Sequence, residues 1–225
     1  MKLMIASDIH GSARYCGQML EAYRREQADR LLILGDILYH GPRNDLPEGY
    51  APKEVIAMLN PMREHLLCVR GNCDTEVDQM VLKFPIMADY CFLELPANTL
   101  SGEIPAGKSA AAAGSMEKKE QDAAGQADGS AGTVSIFATH GHVYHPKHLP
   151  PLKDGDILLT GHTHVPACDE IMDMDGNRFW YLNPGSVSIP KEGSVHSYMI
   201  YENGKFEWKN MQGEDYMTWK TDSRS

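Results

Sequence analysis

The sequence predicts an α/β domain in which parallel strands are joined by helical crossovers. In the first part of the chain, short apolar runs of strand length alternate with segments of helical periodicity. Most of these runs stop at a glycine or an acid, the punctuation expected at strand ends. The later part turns β-rich, with Asp-Gly and Asn-Gly hairpin signals.

Lys2 to Ser7 reads as a strand running into Asp8-Ile9-His10-Gly11. A helical pattern follows from about Ala13 to Ala28, with Met19, Leu20 and Tyr23 on one side. Leu31 to Leu34 is a second strand that stops at Gly35-Asp36. Pro52 suits the first turn of a helix reaching about Asn60. Leu66 to Val69 is a third strand, and Thr75-Glu76-Val77-Asp78 reads as a helix start, with Met80, Val81 and Phe84 as its apolar side. Strands are expected over Tyr90 to Leu95, Thr133 to Ala138 and Ile157 to Thr160, with hairpins around Asp175-Gly176 and Asn203-Gly204. Ser101 to Gly132 is dominated by Ala, Gly, Ser, Lys and Glu and has no aromatic residue, so it reads as a flexible insertion. Residues 1–212 are expected to form a single domain and 213–225 a loose tail.

Composition narrows the function classes. Of 225 residues, 31 are acidic and 21 basic, a formal charge of −10 that repels nucleic acid and anionic membranes at long range. An anionic substrate therefore needs local positive charge, such as a bound metal. The apolar stretch before Asp8 is too short for a signal-peptide core, and nothing approaches a membrane span. The 5 cysteines are scattered, odd in number and without a CxxC, which argues for a reducing compartment, most simply the cytoplasm.

Metal-binding side chains collect at the strand ends: Asp8 with His10, then Asp36, Asn72, His140 with His142, and His162 with His164. Four of these groups adjoin a glycine, as Gly35-Asp36, Gly71-Asn72, His140-Gly141-His142 and Gly161-His162. Residues two apart on an extended chain face the same side, which would let Asp8 meet His10 and His162 meet His164. Ligands of open α/β sheets bind at the carboxyl ends of strands. Each group alone is more often a turn or a chance pair; together they exceed what one tetrahedral zinc needs and fit two metals. Carboxylate, amide and imidazole donors suit borderline divalent ions such as Mn, Fe, Co, Ni or Zn, of which Mn is the ion expected.

This ordered series, with Gly71-Asn72-Cys73-Asp74 and Asn183 to Ser188, resembles the calcineurin-like metallophosphoesterases, and within them the small bacterial phosphodiesterases of the YfcE type. The resemblance implies a four-layer sandwich of two mixed β-sheets flanked by helices, with a dinuclear site at one edge. It implies one metal on Asp8, His10, Asp36 and His164, a second on Asp36, Asn72, His140 and His162, and Asp36 as the bridge. The implied reaction is hydrolysis of a small-molecule phosphate ester, a diester first, by in-line attack of a dimetal-bridged hydroxide. A homodimer or homotetramer is implied as well. A protein-interaction scaffold on the same fold and a metal-dependent nuclease are the alternatives; the intact ligand set counts against the first and the acidic charge against the second.

Relatives often carry a histidine where this chain has Cys73, and a thiol with an ordinary pKa of about 8.5 replaces an imidazolium poorly. His142 is the expected general acid, with His145 and His148 behind it. Cys73 is expected to contact substrate rather than act as a nucleophile, since no base adjoins it. Arg14 is expected near a substrate phosphate, and Tyr39, His40 and Arg43 near the cleft. Asp74 either orients a metal ligand or caps the following helix. Asn183-Pro184-Gly185-Ser186 is turn chemistry first.

Overall fold

Central strands apolar on both faces, such as Lys2–Ala6 and Ile157–Leu159, build two sheets face to face. In the computed structural model, residues 1–97 and 132–221 are described; the insertion expected at 101–132 lies, except for its last residue, outside the described residues. The first sheet has the order β11-β10-β9-β1-β2-β3. Its parallel half is β1 (Lys2–Ala6), β2 (Arg30–Ile33) and β3 (Leu66–Cys68). β9 (Ser197–Glu202), β10 (Lys205–Asn210) and β11 (Asp215–Lys220) continue it antiparallel.

The second sheet has the order β4-β5-β6-β8-β7. Parallel β5 (Thr133–Thr139), β6 (Ile157–Leu159) and β8 (Arg178–Pro184) form its centre, and β4 (Tyr90–Pro96) and β7 (Pro166–Met172) are antiparallel edges. Both sheets are mixed, as expected.

Period-two alternation along β1 divides the core. Leu3 and Ile5 point between the sheets, onto Ile136, Leu159, Leu182 and Trp208, while Met4 and Ala6 point the other way. That second face is covered by α1 (Ala13–Glu26) and α2 (Pro52–Leu59), whose Met19, Leu20, Val55 and Leu59 are buried. Each such side chain contributes about 1.5–3 kcal/mol through burial. Ser12 caps α1, its hydroxyl accepting from the Tyr15 amide, and Pro52 opens α2 as the sequence predicts.

Three expectations change. Among the described residues helices cover only the first sheet; the outer face of the second carries Tyr144, Leu149 and Leu152 from a loop, packed on Phe137, Leu158 and Tyr181. The expected loose tail contains β11, in which Met217 and Trp219 alternate inward. Trp219 lies 4.6 Å from Trp180 and 5.6 Å from Phe206, so it ties the sheets together. Finally, α3 (Glu76–Val81) does not bury its apolar side: Val77, Met80 and Val81 are exposed, and only Phe84, beyond its end, is buried.

The parallel strands explain where the chemistry collects. β1, β2 and β3 run one way and so do β5 and β6, which brings the loops after them to a common edge.

Candidate metal centre

The loops after β1, β2, β3, β5 and β6 present Asp8, His10, Asp36, Asn72, His140, His162 and His164, and every one of these side chains meets another of the set. Asp8 Oδ1 lies 3.5 Å from His10 Nε2 and 3.3 Å from His164 Nε2, and those two ring nitrogens are 3.3 Å apart. On the other side, His140 Nε2 lies 3.1 Å from Asn72 Oδ1 and 3.2 Å from His162 Nδ1. Asp36 Oδ2 stands between the two groups, 3.7 Å from His10 Nε2 and 3.4 Å from His140 Nε2.

This convergence does not come from extended chain. Asp8, His10, Asp36, His162 and His164 all have positive φ, between 47° and 65°, a region that costs a non-glycine residue about 1–3 kcal/mol. The strain is held by main-chain bonds across the edge. Asp8 donates to Gly35 O, His10 to Asp36 O and Gly11 to Ile37 O, while the hydroxyls of Ser186 and Ser188 both donate to Asp8 O. The glycines serve loop-to-loop contact. A Cβ on Gly71 would sit on the Asp36 carboxylate, and one on Gly161 would meet Ser7 Oγ and Asp8 Oδ2.

The hydrogen bonds also set the tautomers. Backbone carbonyls can only accept, and those of Tyr39, Leu34 and Ile189 lie 2.7, 2.6 and 2.6 Å from Nδ1 of His10, His140 and His164. Each Nδ1 therefore carries the proton, and each Nε2 faces the centre with a free lone pair. Lone pairs then oppose lone pairs: His10 against His164, His140 against Asn72, and both rings against Asp8 Oδ1, which is buried and has no hydrogen-bond partner. Acceptors facing acceptors in a buried pocket fit a cation.

The field of the two carboxylates draws protons to these rings as it would draw a cation. Burial works to raise the Asp8 pKa, yet the His10 and His164 rings outweigh it and hold the carboxyl well below its ordinary range. Burial opposes a charge on His140, but Asp36 and Asp8 push its pKa up to about 9. Burial and His140 together push His162 down to about 4. Two ionised carboxylates in a closed pocket attract positive charge from whatever source.

A family comparison draws the same line. Residues 1–205 match the calcineurin-like phosphoesterase superfamily domain. The chain belongs to that superfamily. It is accordingly a hydrolase of phosphate esters, and the residues gathered here fit the divalent metals the superfamily uses. The phosphodiesterase YfcE of Escherichia coli K12 is 41% identical over 203 residues, 90% of this chain and 88% of that one. A solved structure of the E. coli phosphoesterase YfcE superposes with a TM-score of 0.74 at 37% identity, covering 98% and 100% of the two chains. The fold extends to an archaeal phosphodiesterase, at 18% identity and a TM-score of 0.51, covering 97% and 100%.

Around the centre, the expected neighbours sort themselves. Asp74 orients: its carboxylate accepts the amides of Asp36, Ile37 and Gly71 at 2.8, 2.9 and 2.8 Å. α3 is capped instead by Thr75, in a capping box with Asp78. Cys73 contributes its main-chain amide, which donates to Asp36 Oδ1 at 2.8 Å; burial, then Asp36, push its thiol up to about 12.

Cys73, Arg43 and Lys191 line a cavity of about 360 Å³ with Asp36, Asn72, His162 and His164. Lys191 gave no signal in the sequence. Its amide donates to His164 O, and that bond positions it.

Arg14 is not in that cavity; it pairs with Glu48 at the surface, over the Tyr15 ring. His142 is exposed, its ring 5.4 Å from that of His140, and lines a separate cavity with Arg70, Asn72 and Asp89. His145 and His148 bond to each other in the following loop. Asn183, buried, donates to Gly161 O and Thr163 Oγ1, so it braces the His162–His164 loop from the end of β8. No helix among the described residues is long and apolar enough to cross a membrane.

Proposed function

We propose that the protein is a phosphodiesterase acting on small phosphate diesters at a dinuclear divalent-metal centre, with Mn as its ion. The observation that carries the reading is the division of donors into two groups that share one oxygen, Asp36 Oδ2. Asp8, His10 and His164 would hold one ion and Asn72, His140 and His162 the other. Asp36, standing between the two groups, would be shared by both ions, and the Cys73 amide that donates to its Oδ1 would orient it.

When bound, such ions supply Lewis-acid polarisation of the phosphoryl group and lower the pKa of water at the site. The chain's own residues do the remainder. Asn72 and the imidazoles would bind as neutral donors, so two divalent ions held with two carboxylates would leave a net positive centre for an anionic diester. Arg43 and Lys191, both exposed and without a carboxylate partner among the described residues, add positive charge at the cavity mouth of a chain with formal charge −10.

His142, its ring 5.4 Å from that of His140, would pass a proton to a departing alkoxide, but burial and then His140 lower its pKa. A donor less often protonated than an ordinary imidazole at neutral pH favours esters whose alcohols leave easily, such as aryl diesters. The cysteines, all free, suit the cytoplasm.

The deciding experiment removes metal with a chelator and restores Mn, Fe, Co, Ni or Zn singly. Hydrolysis of an aryl diester, the matching monoester and single-stranded DNA is then followed. Diester turnover restored by an ion is the expected result. Folded protein that hydrolyses no ester with any ion overturns the reading, and preference for DNA replaces it with a nuclease.

A further inference from the structure

Cys73 lines two cavities. One is the metal cavity; the other, of about 370 Å³, is walled by Tyr39, Tyr50, Ile56, Val77 and Val81. Its size falls within the range of small-ligand pockets, and its walls are aliphatic and aromatic. Tyr39, Val77 and Val81 are 42%, 68% and 43% exposed, a cluster of apolar groups left in water beside a hydrolytic centre.

The cluster is fixed in place. α3 is locked by its capping box with Val77 and Val81 turned outward, and the Tyr39 carbonyl holds His10 Nδ1. The apolar wall and the metal ligands are thus joined through Tyr39. Lys53 and Asp78 stand on the rim; Asp78 is engaged by Thr75, which leaves the Lys53 ammonium to face an approaching anion.

Building on the phosphodiesterase reading, we propose that this groove receives one ester arm of the substrate, and that the arm is aromatic. An aryl group joined to a phosphoryl group at the centre would cross the Cys73 wall and lie between the tyrosines and the two valines. It would gain apolar burial there while the anionic phosphorus stays with the metal ligands. The groove would then set the substrate class: aryl-bearing diesters in preference to purely aliphatic ones.

The test measures binding separately from turnover, on metal-restored protein. Dissociation constants of methyl phenylphosphonate and methyl methylphosphonate, two uncleaved anions that differ by the ring, are obtained by NMR titration. They are compared in the wild type, in Val77→Ser/Val81→Ser, and in Met80→Ser, which alters α3 at a position 84% exposed and outside the groove. The wild type and Met80→Ser should prefer the phenyl compound by about tenfold or more, and the double variant should lose most of that preference.

No preference in the wild type, or one that survives the double substitution, overturns the proposal. So does a dimer by size exclusion that only the double variant dissociates, with the preference unchanged; the face would then be a contact between copies. If no diester is hydrolysed with any ion while the phenyl preference still depends on Val77 and Val81, the phosphodiesterase reading fails and the groove stands.

Discussion

Replacing Asp74 by alanine should separate the frame of the centre from its ligands. The carboxylate is buried, and its two oxygens accept three main-chain amides, those of Asp36, Ile37 and Gly71. Removing an acceptor from a buried N–H costs about 1–3 kcal/mol. Water entering the space left by the carboxylate keeps each cost near the lower end, so about 3 kcal/mol of folding stability should be lost in total.

Asp74→Asn keeps an oxygen for Asp36 and Gly71 but turns an amide against the Ile37 N–H, and should lose about 1–2 kcal/mol. Because Asp36 is one of the amides held, its carboxylate should wander, with ion affinity falling about 10- to 100-fold in Asp74→Ala. Urea unfolding with a common m value gives the first quantity, and titration of the stripped protein with Mn gives the second. Asp74→Ala within about 0.5 kcal/mol of wild type, with unchanged ion affinity, would refute the argument that this carboxylate sets the centre's geometry.

Other substitutions test neighbouring steps. Cys73→Ser keeps the amide that donates to Asp36 Oδ1 and should stay within about threefold of wild-type kcat/KM, whereas Cys73→Pro, which lacks that N–H, should lose well over tenfold. A large loss in Cys73→Ser would give the thiol a role of its own. Lys191→Gln should raise KM for an aryl diester about three- to tenfold with kcat little changed, as expected for a charge that attracts substrate rather than reacts; an equal fall in kcat would place it at the reacting atoms. Gly161→Ala would drive a Cβ into Ser7 Oγ and against Asp8 Oδ2, and should cost about 1–3 kcal/mol together with most activity; thermal unfolding and the same ester assay check both.

The gathering of these side chains was legible because most strand ends carry a metal-binding type beside a glycine, and parallel strands bring such ends together whatever lies between them. The manner of convergence was not. Positive φ at Asp8, His10, Asp36, His162 and His164 does not follow from residue type alone, although Asp and His adopt it more readily than most, since the backbone there is held by distant partners such as Ser186 and Ser188. Asp74 was open between two local roles because both put an acid after Asn72; only the positions of the Asp36 and Ile37 amides decide. β11 was missed because Gly213 and the polar residues around it resemble a chain end, although Met217 and Trp219 already alternate. α3 misled in the opposite way: its apolar residues have helical spacing but no core above them. Lys191 has no motif at all, and its place follows from one bond to His164 O.

The distances along the chain between paired donors bear on how the molecule folds. His10 and His164 are 154 positions apart, and Asn72 and His140 are 68 apart. The pairs meet only after one sheet has docked on the other, so neither half of the chain can assemble the pocket by itself. Closing such long loops is slow, which places the pocket among the last features to form. An ion that binds it would then leave the early steps of folding unchanged and act mainly by slowing the separation of the sheets.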